Sequence, residues 1–373
     1  MDALTTPSNW QKVRLGDIGK PCMCKRVMKH QTTRYGEIPF YKIGTFGNTA
    51  DAFISKKLFL EYKTKYSFPK KGDILISASG TIGRAVIYDG KPAYFQDSNI
   101  VWIDNDETLV KNDFLFYVYS HVKWNTEHTT ILRLYNDNFR NTLIPLPPLN
   151  EQIAIANVLS DVDHYLYSLD ALILKKESVK KALSFELLSQ RKRLKGFNQN
   201  WQRVRLGDIA NYLTSNLSAE QITQQGKIKV YDVNNFIGYT NTTFISDKPY
   251  ISIVKDGSVG RVRILPPKTN ILSTMGALIA NHKTTTEFLF YLLSNFDFKN
   301  FTSGSIIPHI YFKDYKEKTI FLPPLNEQIA IANVLSDLDH EIISLKNKKR
   351  QFENIKKALN HDLMSAKIRV LKK

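Results

Sequence analysis

Two long stretches of the chain carry apolar residues at alternating spacings of four and three. In the first stretch these positions are Ile155, Leu159, Val162, Leu166, Leu169 and Ile173, and in the second they are Ile331, Leu335, Leu338, Ile342 and Leu345. Two apolar positions in every seven form a narrow seam, which is typical of helices that pair side by side. Neither stretch contains Gly or Pro, so we predict two rod-like helices of about 45 residues, or roughly 65 Å each.

Both predicted helices begin at the same motif. Residues 146–164 and 322–340 differ at one position, Val162 against Leu338, and lie 176 positions apart. The paired prolines cannot lie inside a helix, whereas Asn150 suits an N-cap and Glu151 places negative charge at the positive end of the helix dipole. The helix-start motif consists of Pro147, Pro148, Asn150, Glu151 and Gln152 in the first copy and Pro323, Pro324, Asn326, Glu327 and Gln328 in the second.

The two helices differ in a compensating way. Ile173 corresponds to Lys349, while Lys176 corresponds to Phe352, so one apolar seam position has moved by about one turn. We hypothesise that the helices pack antiparallel, with an approximate two-fold axis near this exchange. The alternative is that they are ordinary core helices of two separate bundles.

The duplication extends beyond the helices. Residues 10–18 and 201–209 differ only at Lys12 against Arg203, and aromatic and glycine landmarks recur in order between opening and helix, Phe53 matching Phe244 among them. The first copy is longer mainly by an insertion between Phe53 and Gly80. We predict globular domains at 1–145 and 201–321 and helical spacers at 146–200 and 322–373. We expect the opening strand of each domain to pack together with the rod before it, which would bring the two chain ends near one pseudo-symmetric centre.

Within each domain the pattern is mixed. Residues 72–77 and 93–103 form apolar or alternating runs typical of strands, whereas residues 113–122 and 286–294 resemble helices. We predict the α+β class: two globular domains with curved sheets, separated by two long antiparallel, coiled-coil-like helices in a pseudo-two-fold tandem repeat.

Composition points to a polyanionic partner. The 373 residues include 52 Lys and Arg against 35 Asp and Glu, a net charge of +17 that is spread over both globular parts. This balance favours nucleic acid ahead of a membrane. No apolar run approaches 18 residues and no secretion signal begins the chain, so we expect a cytoplasmic protein.

Catalytic signatures are missing. None of the three Pro-Pro pairs precedes an aromatic residue, as an amino-methyltransferase loop requires, and no phosphate-binding Gly-Lys-Ser/Thr loop is present. Asp51, Glu61 and Lys63 match a nuclease spacing loosely. The repeated Asp-x-Asp-His of residues 161–164 and 337–340 is better explained by a solvated polar face or a partner surface than by a metal, because helical residues two apart do not face each other. We therefore expect no catalytic residue and no metal site.

Two Gly-x-x-Gly-Arg turns are better candidates. They are formed by Gly80, Gly83 and Arg84 in the first domain and by Gly257, Gly260 and Arg261 in the second. Glycines let backbone amides approach a phosphate, and arginine can bind phosphate or guanine. A tight turn between strands is an equally good interpretation, and one turn can serve both purposes.

These residues resemble the specificity subunit of type I restriction-modification enzymes. The resemblance rests on the two Leu-Pro-Pro-Leu-Asn-Glu-Gln motifs, the two openings and the landmarks around Gly80 and Gly257, and it covers essentially the whole chain. It implies two target-recognition domains, each reading half of a bipartite sequence in double-stranded DNA. It also implies two helical regions that dock two methyltransferase subunits at the helix-start motifs. S-adenosylmethionine, ATP and Mg²⁺ would be bound by the methyltransferase and restriction subunits, and this chain would bind no cofactor.

In that interpretation the helices set the distance between two unlike domains, whose DNA contacts fall about one helical turn, roughly 34 Å, or a multiple of it apart. Besides the turns, the candidate base-contacting residues are Thr45, Asn48, Arg133 and Arg140 in the first domain and Asn234, Asn235, Arg263 and His309 in the second. The alternatives are a free-standing DNA-binding or anti-restriction scaffold without methyltransferase partners, and a self-sufficient nuclease.

Overall fold

The computed structural model describes residues 9–128, 132–304 and 306–370. The chain forms two compact units, one built from residues 1–169 with 348–373 and the other from residues 170–347. This division cuts across the four segments predicted from the sequence, because each long helix contributes its two halves to different units. Each unit thus contains one globular domain and half of each long helix.

The first unit is an α+β assembly. Its helices are α1 (Leu15–Ile18), α2 (Lys56–Lys65), α3 (Asn112–His121), α4 (Asn136–Asn141) and the first half of α5 (Leu149–Leu188). Its strands are β1 (Gln11–Arg14), β2 (Gly19–Met23), β3 (Ile38–Tyr41), β4 (Phe53–Ile54), β5 (Ile74–Ser77), β6 (Ala85–Ile87), β7 (Tyr94–Phe95), β8 (Ile100–Asn105), β9 (Glu127–His128), β10 (Leu132–Arg133) and β11 (Leu143–Leu146). Helix α2 lies in the insertion between Phe53 and Gly80.

The second unit repeats this assembly without α2 and with a 3₁₀ helix, Leu206–Asp208, in place of α1. Its strands are β12 (Gln202–Arg205), β13 (Ala210–Thr214), β14 (Ile228–Tyr231), β15 (Phe236–Thr240), β16 (Tyr250–Val254), β17 (Val262–Leu265), β18 (Thr269–Ile271), β19 (Met275–Ala280), β20 (Thr302–Ser303), β21 (His309–Ile310) and β22 (Thr319–Leu322). Its helices are α6 (Thr286–Ser294), α7 (Phe312–Tyr315) and the first half of α8 (Leu325–Met364). Short 3₁₀ helices in the chain lie at Lys29–Gln31, Leu206–Asp208, Ala219–Gln221 and Lys299–Phe301.

The sheets of the two units have the same topology. A four-stranded antiparallel sheet has the order β2-β8-β5-β6 in the first unit and β13-β19-β16-β17 in the second. A three-stranded sheet has the order β4-β3-β7 or β15-β14-β18, with its last pair parallel. Two two-stranded sheets complete each unit, β1-β11 and β9-β10 in the first and β12-β22 and β20-β21 in the second. The predicted α+β class is confirmed, and the strands of each domain are divided among several sheets.

Two details of the sequence interpretation are wrong. Residues 93–103 do not form one strand, because Ser98 adopts a positive φ of 59° and turns the chain between β7 and β8, which belong to different sheets. Phe53 does not correspond to Phe244. Its backbone pairs with Thr33, and in the second unit Tyr239 pairs with Thr223 in the same way, so Tyr239 is the counterpart.

The opening strand of each half pairs with the strand that leads into its own long helix, β1 with β11 and β12 with β22. The core of the first unit joins Trp10 to α5 and to Leu363 near the end of α8, and that of the second joins Trp201 to Leu187 of α5. The described parts of both chain ends therefore lie in the first unit. The opening strand of the second domain shares its core with the rod before it, and the predicted pseudo-symmetric centre stays a prediction.

The long helices are 40 residues each, slightly shorter than predicted. Gln190 and Ala366, at equivalent positions, adopt positive φ of 62° and 56° and end the helices with a left-handed residue. Asn150 is not the N-cap, because α5 begins at Leu149 and the carbonyl of Pro148 accepts the amide of Gln152 at 3.0 Å. Its side-chain oxygen instead accepts the amide of Glu151 at 3.0 Å.

The helices pack antiparallel within each unit. In the first unit Tyr165 contacts Phe352, with ring centroids 4.6 Å apart, while Asp163 binds the later Lys356. In the second unit Lys176 binds Glu341, and the later Lys180 binds the earlier Asp339. Most of the seam is buried, with Ile155, Leu159, Ile331 and Leu335 at most 1% exposed. The remaining seam positions that are only half-buried are Val162, Leu166, Leu338 and Leu345. The predicted two-fold axis stays a hypothesis.

Candidate nucleic-acid interface and helix-start motifs

The first Gly-x-x-Gly-Arg motif forms the turn between β5 and β6. Gly80 and Gly83 adopt positive φ of 65° and 81°, and the Gly83 amide donates to the Ser77 carbonyl at 2.9 Å. A Cβ on Gly83 would lie 2.0 Å from the Trp124 indole, so this glycine is required for packing. The strand-turn interpretation is therefore confirmed, and the Arg84 side chain is exposed beside it.

Two of the candidate residues flank this turn. Arg84 Nη2 lies 3.5 Å from Asn48 Oδ1, at the limit of a hydrogen bond. Arg133 reaches the turn from β10: its Nη2 donates to Asn99 Oδ1 at 2.9 Å, and the Ser79 hydroxyl donates to the same oxygen at 2.8 Å. The structure thus brings Arg133 to the turn through Asn99, a residue that sequence reasoning missed.

Thr45 and Arg140 lie elsewhere. The Thr45 hydroxyl accepts the Lys42 amide at 3.1 Å and so organises the loop that carries Asn48. Arg140 lies on α4, where its side chain borders Gly16 of α1. Neither side chain joins the Asn99 and Arg133 cluster by a contact among the described residues.

The second motif forms the equivalent turn between β16 and β17. Gly257 and Gly260 have φ of 81° and 79°, and the Gly260 amide donates to the Val254 carbonyl at 2.9 Å. A Cβ on Gly260 would lie 2.6 Å from the Phe298 ring, which takes the place of Trp124. Arg261 is exposed at the end of the turn. The backbone of the turn is therefore the same in both domains.

The side chains around the second turn differ from those around the first. His309 occupies the position of Arg133, and its Nδ1 lies 2.6 Å from Asp256 Oδ1. Asp256 replaces Ser79 and was also missed. Ser79 and Asp256 could have been found from the sequence because each directly precedes the first glycine of its turn.

Arg263 lies with Asn234 and Asn235 at the edge of the second domain. Its guanidinium lies 5.3 Å from the centre of the Tyr231 ring, and its Nη1 donates to the Asn234 carbonyl at 3.0 Å. The backbone amides of Asn234 and Asn235 both donate to Asp232 Oδ1, at 2.8 and 2.7 Å. The exposed arginine is therefore held in one orientation by a stack and a hydrogen bond.

The helix-start motifs are partly buried. Glu151 accepts hydrogen bonds from Trp10 Nε1 at 3.1 Å and from Arg369, and Glu327 accepts them from Trp201 Nε1 at 3.0 Å and from Arg193. Gln152 Nε2 donates to the Pro147 carbonyl at 2.9 Å, and Gln328 repeats this bond with Pro323 at 2.8 Å. All four acidic and amide side chains are at most 2% exposed. They therefore organise the start of the helix instead of presenting a docking surface.

The remaining motif residues are arranged differently. Pro147 and Pro323 are buried, whereas Asn150 and Asn326 are exposed in the first helical turn and Pro148 and Pro324 lie nearer the surface. Four apolar side chains next to them are also exposed, at 37% to 50%: Leu149, Ile153, Leu325 and Ile329. The two units thus present the same apolar surface in the same sequence.

The interpretation of the Asp-x-Asp-His repeats as a solvated or partner-binding face is wrong for their second aspartates. Asp163 accepts a hydrogen bond from Tyr117 at 2.8 Å and pairs with Lys356, while Asp339 accepts one from Tyr291 at 2.9 Å and pairs with Lys180. Burial, and secondly the hydrogen bond to aspartate, raises the pKa of both tyrosines. No group of three or more potential metal ligands occurs among the described residues.

The nuclease residues are not assembled. Asp51 pairs with Lys42 at 2.8 Å, Glu61 pairs with Lys65 at 3.1 Å, and Lys63 lies over the rings of Phe59 and Phe68. These contacts hold the three side chains in separate local interactions.

In the described part of the chain, no helix is both long enough and apolar enough to cross a membrane.

The duplicated fold corresponds to a known family. The model of the type I restriction modification DNA specificity domain matches residues 7–176 and again residues 198–354. The chain belongs to this family. Both copies of the duplication match separately, so each globular domain with its helix start is one copy of the specificity domain.

Curated relatives agree with this assignment. A putative type I restriction enzyme specificity subunit of Haemophilus influenzae, S.HindORF215P, is 63% identical over 148 residues, which are 39% of this chain and 38% of that protein. Two proteins of Methanocaldococcus jannaschii match nearly the whole length: the putative MjaX specificity subunit is 29% identical and the MjaVIII specificity subunit 26% identical, each over 95% of its length.

Solved structures share the fold. The S subunit of a type I restriction-modification system from M. genitalium superposes with a TM-score of 0.64 at 19% identity, covering 98% of this chain and 99% of that one. A chain from a structure of type I complex assembly and conformational transition gives 0.58 at 15% identity, covering 96% and 98%. The architecture of the specificity family is therefore present throughout the chain.

Proposed function

We propose that the chain is the DNA sequence-specificity subunit of a type I restriction-modification complex that recognises a bipartite, asymmetric site. Each globular domain would read one half-site in double-stranded DNA. The observation that carries the proposal is the contrast around the two matched turns. Their backbones are the same, but Asn99 and Arg133 flank one, and Asp256 and His309 flank the other.

This difference in side chains supports the proposal that the two domains recognise different DNA sequences. Amide and guanidinium groups form bidentate pairs with adenine and guanine edges, whereas exposed arginines and turn amides bind phosphates. The net charge of +17 supplies the general attraction to a polyanion. Arg84 and Arg261, which follow the glycines in both domains, suit phosphate contacts that place the turns on the duplex.

We further propose that the chain docks two methyltransferase subunits, one on each unit. Leu149 and Ile153 in the first unit occupy positions equivalent to Leu325 and Ile329 in the second, and their exposures are similar, 37% and 44% against 45% and 50%. Exposed apolar side chains in a matched pair favour two copies of one partner. In this proposal the partner binds S-adenosylmethionine and methylates adenine at N6, the restriction subunits assemble through it, and this chain recognises DNA without catalysis.

The proposal is tested by exchanging one domain. Mapping modified adenines in the host genome defines the two half-sites and the gap between them. Replacing residues 20–140 by the corresponding domain of another family member should then alter one half-site and leave the other half-site and the gap unchanged. A change in both halves, or no adenine methylation that depends on this chain, would contradict the proposal.

A further inference from the structure

The first domain contains a cavity of about 420 Å³ next to the Gly-x-x-Gly-Arg turn. It lies between the loop that carries Asn48, strand β6 and the end of β7. Tyr41 and Phe95 form one wall, stacked with ring centroids 5.8 Å apart and planes 17° from parallel, and Tyr88 meets Phe95 edge-on at 5.6 Å. Phe46 is 1% exposed and lines the cavity from inside. The volume lies within the range of small-ligand pockets, roughly 300–1,000 Å³.

The second domain fills the equivalent place with its own side chain. Val86 of β6 pairs with Leu75 of β5, and Arg263 of β17 pairs with Ser252 of β16 in the same register. Tyr41 and Tyr231 are likewise equivalent, since each ends the central strand of its three-stranded sheet. The Arg263 guanidinium lies over Tyr231, whereas the shorter Val86 lines an open cavity beside Tyr41. The fold therefore accepts a flat polar group at this position.

The surroundings of the cavity indicate the chemistry of its occupant. Asn48 lines it, and Arg84 lies 3.5 Å from the Asn48 side chain. The exposed arginine disfavours a second guanidinium and suits an attached phosphate. The other charged lining groups, Asp89 and Lys91, already pair with each other at 3.3 Å. An aromatic wall, an amide and a neighbouring cation are the features that bind a nucleobase with its phosphate.

We propose that this cavity receives one nucleobase turned out of the duplex in the half-site read by the first domain. This inference rests on the proposed function and adds a second displaced base to the adenine that is methylated. The base would stack on Tyr41, and the Asn48 amide would contact its polar edge. The second domain would read its half-site without displacement, because Arg263 occupies the same place.

The test uses the complex with its methyltransferase subunits and duplexes that carry one mismatch at successive positions of the first half-site. A base costs less to extract from a mismatch than from a matched pair. The wild-type complex should therefore bind a duplex with a mismatch at one position, besides the methylated adenine, about 10-fold more tightly than the fully matched duplex. V86R should abolish the gain at that position because the guanidinium fills the cavity as in the second domain. The gain at the methylated adenine should persist. V86A leaves the cavity open and should retain both gains.

Y41L is the second variant, since it removes the stacking wall without filling the cavity, and it should also lose the extra gain. If V86R lowers the melting temperature of the complex, the mismatch response of Y41L tests the inference instead. The inference is overturned if the wild-type complex gains affinity from a mismatch only at the methylated adenine, or if V86R and Y41L respond to mismatches as V86A does. It is also overturned if these variants impair subunit assembly while their mismatch responses are unchanged, which would indicate a protein occupant. A wild-type complex that binds no specific sequence would refute the proposed function itself.

Discussion

Glu151 and Arg369 form a two-pronged ion pair across 218 positions of sequence, with Arg369 Nη2 2.8 Å from Glu151 Oε2. The carboxylate is buried, and the Trp10 indole donates to the same oxygen. Glu327, Arg193 and Trp201 repeat the arrangement in the second unit. In each unit, a residue beyond the end of one long helix thus completes the start of the other helix.

The first prediction concerns this ion pair. Arg369→Ala leaves the Glu151 carboxylate buried without its guanidinium, so we expect the first unit to lose about 3 kcal/mol of unfolding free energy. Denaturant titration of the full chain measures the loss. The double variant E151Q/R369A should recover part of it, because a neutral amide costs less to bury, and exposed Lys181→Ala should change stability by less than about 0.5 kcal/mol. Equal stability of R369A and K181A would contradict the role of the pair.

The second prediction concerns the turn glycines. Gly257 and Gly260 both have positive φ, but a Cβ on Gly257 meets nothing within 4 Å, whereas one on Gly260 meets the Phe298 ring at 2.6 Å. G257A should therefore cost about 1–2 kcal/mol for the left-handed backbone alone. G260A should cost about 1–3 kcal/mol more because the ring must move. Thermal unfolding of the two variants provides the comparison, and G257A as the more damaging change would refute this explanation.

The third prediction concerns the proposed docking surface. Ile153 and Ile329 are 44% and 50% exposed, so a charge at either position should leave the fold intact and oppose an apolar partner. We expect I153E and I329E each to reduce the bound methyltransferase from two copies to one, and the double variant to bind none. Native mass spectrometry of the co-expressed complex counts the copies. Ile355→Glu, at a 50% exposed position elsewhere on α8, is the control. Full occupancy in the double variant would exclude this surface.

The fourth prediction concerns pH. Burial, and secondly the charge of neighbouring His361, lowers the pKa of His121. The unfolded chain therefore takes up the proton first as pH falls, and the stability contributed by neutral His121 is complete above the ordinary histidine pKa near 6.5 and decreases as pH drops through its lowered folded value. His121 and His361 line a second cavity of the first unit, together with lysines at positions 12, 123, 356 and 357 and with Glu353.

We expect the melting temperature to fall between pH 7.5 and 5.5 and the fall to be smaller in His121→Asn. Asparagine is chosen because Asn295 occupies the equivalent position in the second unit. His340→Asn, at an exposed position, is the control and should retain the wild-type pH dependence. An unchanged pH profile in H121N would show that His121 does not carry the effect.

The sequence predicts the helices well because their stabilising pattern is local and repeated. Ile155 and Leu159 are one turn apart, so their shared face follows from helix geometry alone. Helix ends are less predictable: Asn150 has the right chemistry for a cap, but the helix begins two residues earlier than such a cap would place it, with Pro148 in the cap position.

Contacts between distant residues explain what the sequence could not show. No local pattern joins Arg369 to Glu151 or His309 to Asp256, because these pairs form only when sheets and helices are assembled. The same limit applies to Asn99, which sits in a turn without a motif and nevertheless binds Arg133. The Gly-x-x-Gly-Arg turns were found because glycine at a positive φ leaves a signature within five residues.

The position of Arg369 has a consequence for biosynthesis. Domains generally fold as they leave the ribosome, N-terminal parts first. Here the second unit is a continuous segment, residues 170–347, whereas the first needs residues 348–373 as well. The first unit is thus completed only after the second unit has been synthesised. A nascent chain holds Glu151 and the Trp10 indole without their arginine until Arg369 has been synthesised, so a stop codon introduced shortly before residue 369 would damage the first unit although its globular domain had already been translated.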